Sequence, residues 1–380
     1  MGSMQTDSAK RMDYVIEITV TSKHGVRKKL VLQETEIAHL KMNIQKPLNI
    51  LIFGSGAVGS TLGWRLAQNL NTRLSVVCRS NYDIVKRHGL RMNTNLWGTG
   101  TFKPHRVVRS TREVSDVAFD YVVCANKIVT SDCASTIKEL AYVLSPETAL
   151  VSAQNGVDVE APLSRAFPRN TILSAICYIS CLQPTPGVVH QVSNIRPHAF
   201  HIGAYDMPRL GSSVDASQQL EDFVALDAQF KRIEEVKAER WTKQIFNGAW
   251  NPMTAISGLD THPLIASPYL NIVRQLAQET FNVAVGLGVS LPKDLPEKTI
   301  DFARNNPSIT PSMLQDARGK RLMEIDSLCG NVIRQAEQIR VPVPTVKMVY
   351  HALLEMNRQI LASTQLLRLP EQEALNVRPM

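Results

Sequence analysis

Residues 48–68 read Leu48-Asn-Ile-Leu-Ile-Phe-Gly54-Ser55-Gly56-Ala57-Val58-Gly59-Ser-Thr-Leu-Gly-Trp-Arg-Leu-Ala-Gln68. An apolar strand runs into Gly54-x-Gly56-x-x-Gly59, and a helical pattern follows. This is the dinucleotide-binding fingerprint in its required setting. Gly54 permits the tight turn off the strand. Gly56 lets a pyrophosphate approach bare backbone. Gly59 lets the helix pack closely on the sheet. Ser55, Ala57 and Val58 complete the turn, where free N–H groups at the helix start face the phosphates. Ala57, Val58, Leu62 and Leu66 form the apolar stripe that seats the helix. The plain alternative, a glycine-rich turn that binds nothing, fits poorly with strand, glycines and helix all falling in order.

The next strand is predicted at 74–78, and Arg79 follows it, about twenty residues beyond the glycines. An Asp or Glu there would accept from the ribose 2′-hydroxyl of NAD and repel a 2′-phosphate. Arg79 reverses that sign and offers a donor fork suited to phosphate. The expected cofactor is NADP(H), with Arg79 as the discriminating residue and Ser80 as a helper. The alternative is a solvated arginine after a strand.

A chain of 380 residues can hold two full cores. Composition is ordinary for a globular protein, at 44% apolar and 20% charged residues. The net charge of +8 is spread along the chain and suits small anionic ligands. No basic tract with interleaved aromatics points to nucleic acid. No apolar run reaches membrane-spanning length. No signal-peptide pattern is evident, and Asp7, Asp13 and Glu17 argue against a transit peptide, so the expected location is cytoplasmic. The six cysteines, at 78, 124, 133, 177, 181 and 329, include no C-x-x-C pair and read as buried free thiols in a reducing compartment. No metal-site spacing is present, and no metal is expected.

Residues 1–47 form an N-terminal extension. Either Tyr14–Val20 and Lys29–Leu32 pair as a hairpin around His24-Gly25, or the segment is mobile. From 48 to 236 strands alternate with helices, as in a doubly wound parallel sheet. Strands are expected at 49–53, 74–78, 119–125, 148–153 and 172–180. Antiparallel additions are expected near Gly187–Gln191 and Ala199–Gly203, then a helix over 214–231 and a last strand over 232–236. From 237 to 365 helical patterns at 239–256, 268–288, 312–339 and 344–362 predict an all-α domain, followed by a tail over 366–380. The fold class is therefore an α/β Rossmann-type domain plus an all-α C-terminal domain, with a cleft for a small substrate between them.

Within the second domain Lys243, Asn247 and Asn251 recur at i, i+4 and i+8, along one drifting helix face. The plain alternative is a solvated face. Exposed faces favour Glu, Lys and Gln over Asn, a poor helix former, which weighs against it. Capping at a kink before Pro252 would account for Asn251 but not Asn247. Further on, Ser312 with Gln315 fits a capping box, and a helix start is also a good carboxylate site.

Taken together the chain resembles the ketopantoate reductase family over residues 48–365. The matching motifs are Gly54–Gly59, Arg79, Lys127 after the third strand, Gln154-Asn155-Gly156 and Pro186-Gly187-Val-Val-His190. The Lys243/Asn247/Asn251 helix, Ser312-Met-Leu-Gln-Asp316 and Glu324-Ile-Asp326 complete the set. The resemblance implies that Lys243 is the general acid of a ketone reduction. It implies that Asn247, Asn251 and Ser312 contact substrate, and that Lys127, Asn155 and Glu324 stand where nicotinamide meets substrate. Cys181, with Ser180, would border the cofactor. These roles make chemical sense, since reduction builds negative charge on oxygen that a positioned ammonium stabilises and protonates. Without the resemblance, Lys127 reads as a strand-end surface lysine and Glu324 as a helix-surface acid. The extension, Thr261 and Asn126 depart from the bacterial pattern.

The leading expectation is NADPH-dependent reduction of a 2-keto acid to a D-2-hydroxy acid, by default ketopantoate to pantoate, by a monomer or homodimer. One alternative is a D-2-hydroxyacid dehydrogenase of the same family acting on another keto acid. A different class is a non-catalytic NADP(H)-binding sensor, which would not need Lys243, Asn247, Asn251 and Glu324.

Overall fold

The computed structural model describes residues 16–21, 27–32, 46–129, 133–205 and 215–376. The expected tail thus falls partly outside it. The N-terminal unit contains one antiparallel pair, β1 (Ile16–Thr21) and β2 (Arg27–Leu32), in the register Ile16 to Leu32 and Thr21 to Arg27. The hairpin alternative therefore holds for these twelve residues. Tyr14 and the His24-Gly25 turn lie outside the described residues, as do Asp7 and Asp13.

The chain from Leu48 onward forms a second compact unit. Its frame is an eight-stranded sheet in the order β14-β13-β10-β9-β8-β3-β4-β7. Here β3 is Leu48–Phe53, β4 Thr72–Val77, β7 Arg106–Val108, β8 Tyr121–Cys124, β9 Ala149–Ser152, β10 Ile172–Cys177, β13 Phe200–Ala204 and β14 Phe230–Arg232. All neighbours are parallel except β10 with β13. Ile50, Leu51, Ile52, Val122, Val123, Leu150 and Val151 are fully buried. Both faces are covered, which is why these strands read as unbroken apolar runs rather than alternating ones. The chain leaves β3 toward β4 on one side and later returns to β8 on the other. That reversal opens a crevice at the carboxyl ends of β3 and β8, the position where open α/β sheets bind ligands.

Two expectations change here. The run expected as one strand over 172–180 splits at Tyr178 into β10 and β11 (Ile179–Thr185). β11 then joins β12 (Val188–Asn194), β5 (Leu90–Thr94) and β6 (Gly98–Phe102) in a separate four-stranded sheet. β5, β6 and β7 had no clear periodic signal, because they are short and mix Thr, Asn, Gly and Arg. This second sheet packs on helix α1 (Ala57–Leu66). A Cβ on Gly63 would stand 3.0 Å from the Phe102 ring, so the glycine sets that approach. The last strand also falls earlier than expected, at 230–232, and the preceding helix is shorter, Ala216–Val224.

After β14 the described residues are helical or irregular. The long helix Val236–Ser257 runs through Pro252 instead of ending at it. Proline has no N–H to return, so one turn of the ladder is open there. Its apolar side chains Trp241, Ile245, Ala249 and Trp250 are buried against the helix Leu270–Gly286 and its neighbours. The helix expected over 312–339 is broken. It becomes a short helix Ser312–Arg318, a non-helical stretch through Glu324, a π-helical turn Asp326–Gly330 and a helix Asn331–Ile339. The Arg321 backbone and side chain both return to Asp316, closing the first piece after Gly319. The last helix continues past the expected end at 362, from Pro344 to Asn376. The short helices Thr261–Ile265 and Leu295–Asn305 were not anticipated.

Candidate active site

At the carboxyl end of β3 the glycines behave as their spacing demands. Gly54 has φ +108°, and a Cβ there would lie 2.6 Å from the Asn126 nitrogen. A Cβ on Gly59 would fall 2.0 Å from the Gly54 carbonyl oxygen, so α1 and the strand touch backbone to backbone. A Cβ on Gly56 would meet nothing within 4 Å. Its bare backbone therefore serves something other than protein packing. Ser55 is committed to the loop. Its hydroxyl donates to Asn81 Oδ1 at 2.9 Å, and its carbonyl accepts from Asn81 Nδ2 at 3.0 Å and Gln183 Nε2 at 3.3 Å. Asn81 and Gln183 lock the turn, and no sequence rule singled them out because their partners are over twenty residues away. Ala57 and Val58 sit half-buried at the start of α1, packed on the core.

Arg79 is exposed, and its guanidinium makes no hydrogen bond or ion pair among the described residues. With Arg109, Arg112 and Lys138 it lines a cavity of about 340 Å³ beside Phe53 and Val77. Arg109 pairs with Asp83 at 3.0 Å and lies over the Tyr82 ring. The three further cations were missed because they come from other elements.

The reacting end of the crevice is built from both lobes. Lys243 Nζ donates to Asn155 Oδ1 at 2.8 Å, and the Glu324 carboxylate lies close by, held down in part by the Asn155 side chain. Glu324 is buried and also accepts from the Ile128 N–H at 3.1 Å. The broken helix makes this possible, since Glu324 stands in the non-helical stretch before the π-helical turn and not on a helix surface. Burial pushes the Lys243 amine down to about 8, helped by the charge of Arg240 and opposed by Glu324. Burial raises the Glu324 carboxyl, and the nearby Lys127 charge pulls it back. The Lys243 amine also lies 5.8 Å from the centre of the Tyr178 ring. Lys127 ion-pairs with the buried Asp316 across the lobes, and Arg321 holds the other Asp316 oxygen at 3.0 Å. Thus Arg240, not Lys127, is the cation that lowers Lys243. Cys181 is half-buried in β11, and burial pushes its thiol up to about 12.

Along the helix the three polar residues differ. Asn247 is half-buried and its carboxamide has no hydrogen-bond partner among the described residues. Asn251 is 4% exposed, and its Oδ1 accepts from the Ser312 hydroxyl at 3.1 Å and the Met313 N–H at 3.0 Å. The expected Ser312–Gln315 capping box does not form. Ser312 is already the first helical residue, Gln315 donates to the Thr310 carbonyl at 2.8 Å, and Asn251 caps the helix from another element. Two of the departing positions are structural. Asn126 accepts from Gln154 Nε2, and buried Thr261 accepts from the Ile309 N–H at 3.0 Å.

The comparisons with known proteins agree with this architecture. The ketopantoate reductase PanE/ApbA family model matches residues 50–206, and the model of the family's C-terminal part matches 235–357. A 2-dehydropantoate 2-reductase of Mesorhizobium japonicum is 27% identical over 325 residues, covering 80% of this chain and 95% of its own. An uncharacterized protein of Saccharomyces cerevisiae is 26% identical over 359 residues, covering 86% and 98%. The crystal structure of 2-dehydropantoate 2-reductase from Methylococcus capsulatus superposes with a TM-score of 0.70 at 30% identity, over 82% of this chain and 98% of that one. A ternary structure of D-mandelate dehydrogenase with NADH and anilino(oxo)acetate shares the fold, with a TM-score of 0.71 at 18% identity over 82% and 99%. No helix among the described residues is long and apolar enough to cross a membrane. With both family models matched in order and the crevice assembled from both lobes, the chain belongs to the ketopantoate reductase family of dinucleotide-binding oxidoreductases that act on CH–OH groups.

Proposed function

We propose that this protein reduces a 2-keto acid to a D-2-hydroxy acid with NADPH, with ketopantoate as the default substrate. The observation that carries the reading is the Lys243 amine held on Asn155 at 2.8 Å near the buried Glu324 carboxylate, with the Asn247 carboxamide, unpartnered among the described residues, one helical turn beyond Lys243. The cofactor fits the residues present: Gly56 leaves its backbone open, and the Arg79 guanidinium has no partner among the described residues beside three other cations. Gly54–Gly59 would hold the pyrophosphate, and Arg79 the 2′-phosphate. When bound, NADPH supplies the hydride.

The chain's own residues do the rest. Negative charge building on the substrate oxygen is stabilised by the Lys243 ammonium, which then delivers its proton to that oxygen. An amine near 8 is a better donor at neutral pH than an ordinary lysine, because its affinity for the proton is closer to the working pH. Asn155 aims the ammonium, and the Glu324 carboxylate, held by the Ile128 N–H, adds negative charge beside it. Asn247 is placed to bind substrate. Asn251 supports the start of the helix that begins at Ser312.

NADPH oxidation measured across ketopantoate, branched 2-keto acids and phenylglyoxylate tests the reading, with NADH run in parallel. Turnover of one class above the others assigns the substrate. Faster turnover of phenylglyoxylate would favour the D-2-hydroxyacid dehydrogenase alternative. Tight NADPH binding with no turnover of any keto acid would favour a sensor and end the enzymatic reading.

A further inference from the structure

Arg240 stands three residues before Lys243 on the same helix and is 6% exposed; its partner Glu160 is 1% exposed. Arg240 Nε is ion-paired with Glu160 Oε1 and donates to Ser174 Oγ at 2.9 Å. The rest of the guanidinium is spent on backbone. It donates to the carbonyls of Gln154 at 2.8 Å, Gly156 at 3.1 Å and Ser152 at 3.3 Å. These are alternate carbonyls of one stretch, and two of them flank Asn155. Fixing the carbonyls of 154 and 156 fixes the backbone from which the Asn155 carboxamide projects. From the other side Gly156 has φ +105° and presses on the π-helical turn, where a Cβ would lie 2.2 Å from the Ser327 carbonyl oxygen.

A buried ion pair is weak evidence for stability, since apolar residues of similar volume often serve as well. A planar fork that reaches three carbonyls is a different matter, because neither an apolar residue nor a lysine can reproduce it. We propose that Arg240, held by Glu160, is a positioning residue that sets the Asn155 carboxamide against the Lys243 ammonium. One helix then carries both the proton donor and the clamp that aims it. This rests on the reading of Lys243 as the proton donor.

The test uses Arg240→Lys and the paired variant Arg240→Met/Glu160→Met, each with and without Lys243→Met. Readouts are kcat, KM, NADPH affinity, melting temperature and amide hydrogen exchange over 153–157. A misplacement of about 1 Å at a reacting group costs on the order of 10²-fold. Arg240→Lys is therefore expected to lower kcat by about tenfold to a hundredfold, with NADPH affinity and melting temperature little changed. Exchange over 153–157 should rise by about tenfold, confined to that segment. Because Arg240 acts through Lys243, adding Arg240→Lys to Lys243→Met should cost almost nothing more than Lys243→Met alone, whereas independent effects would multiply. If the paired variant does not fold, Arg240→Lys alone decides. Unchanged exchange over 153–157, kcat within threefold of the parent, or a fully multiplicative combination overturns the proposal. Normal kcat in Lys243→Met alone would instead overturn the proton-donor reading, and the exchange result would still judge the clamp.

Discussion

Replacing Lys243 by alanine removes the proposed proton donor while leaving the phosphate-binding turn, which belongs to the other lobe, untouched. Loss of a general acid costs about 10²–10⁴ in rate, or roughly 3–5 kcal/mol of transition-state stabilisation. The pH dependence of the parent enzyme sharpens the prediction. Burial holds the Lys243 amine at about 8. The protonated form is the donor, so reduction is fast below that value and is lost as pH rises through it. About nine-tenths of the amine is protonated at pH 7 and about one-tenth at pH 9, so kcat for reduction should fall about tenfold over that interval. Oxidation of the 2-hydroxy acid needs the neutral amine and should rise over the same interval. An ordinary lysine near 10.4 would leave the reduction profile nearly flat there. The assay is NADPH oxidation at saturating cofactor and substrate from pH 6 to 10, on parent and Lys243→Ala. In the variant the basic limb should vanish along with most of the rate, while NADPH titration stays normal. A variant that keeps kcat within threefold, or a parent profile flat through pH 9, would refute the reasoning.

Arg79→Ala should weaken NADPH binding about tenfold or more and leave NADH nearly unchanged, because a charge-assisted phosphate contact is worth about 1.5–3 kcal/mol; equal affinities of the parent for both cofactors in a titration would reject it. Asn247→Ala should raise substrate KM with the melting temperature unchanged, since its carboxamide has no protein partner among the described residues; a normal KM across the keto-acid panel counts against substrate contact. Asn251→Ala should lower the melting temperature, because it strips the acceptor from Ser312 and Met313 at a cost of about 1–2 kcal/mol, and Asn251→Asp, which keeps the oxygen, should recover most of the loss; an unchanged melting curve for Asn251→Ala would show the cap to be dispensable. Gly56→Ala should fold normally yet lose NADPH affinity, whereas Gly59→Ala should fail to fold, since its methyl would lie against the Gly54 carbonyl; thermal scans and cofactor titrations of the pair check both halves.

How much of this could be read from residues alone follows from the range of each interaction. The strand–turn–helix at 48–68 was legible because every constraint on it is local: an apolar run, three glycines with separate backbone duties, and a helical stripe. The shift from alternating strands and helices to helices alone near 236 was legible for the same reason, since periodicity is a short-range property. Asn247 stood out as a residue type ill-suited to an exposed helix face, one turn from Lys243, and the family resemblance then supplied their roles. Tertiary structure decided the rest. Residues 312–339 carry a continuous helical pattern, yet Arg321 folds back on Asp316 and the break frees Glu324 to reach Ile128 and stand near Lys243. Asn251 caps not the kink before Pro252 but the start of a helix sixty residues away. β5, β6 and β7 gave no pattern because pairing with other strands, not their own composition, holds them extended. Arg240 looks like any helix arginine until its three carbonyls, more than eighty residues back along the chain, are brought under it. The depressed lysine was likewise beyond sequence, because its shift comes from burial, helped by Arg240 and opposed by Glu324, and burial is a property of the assembled cleft.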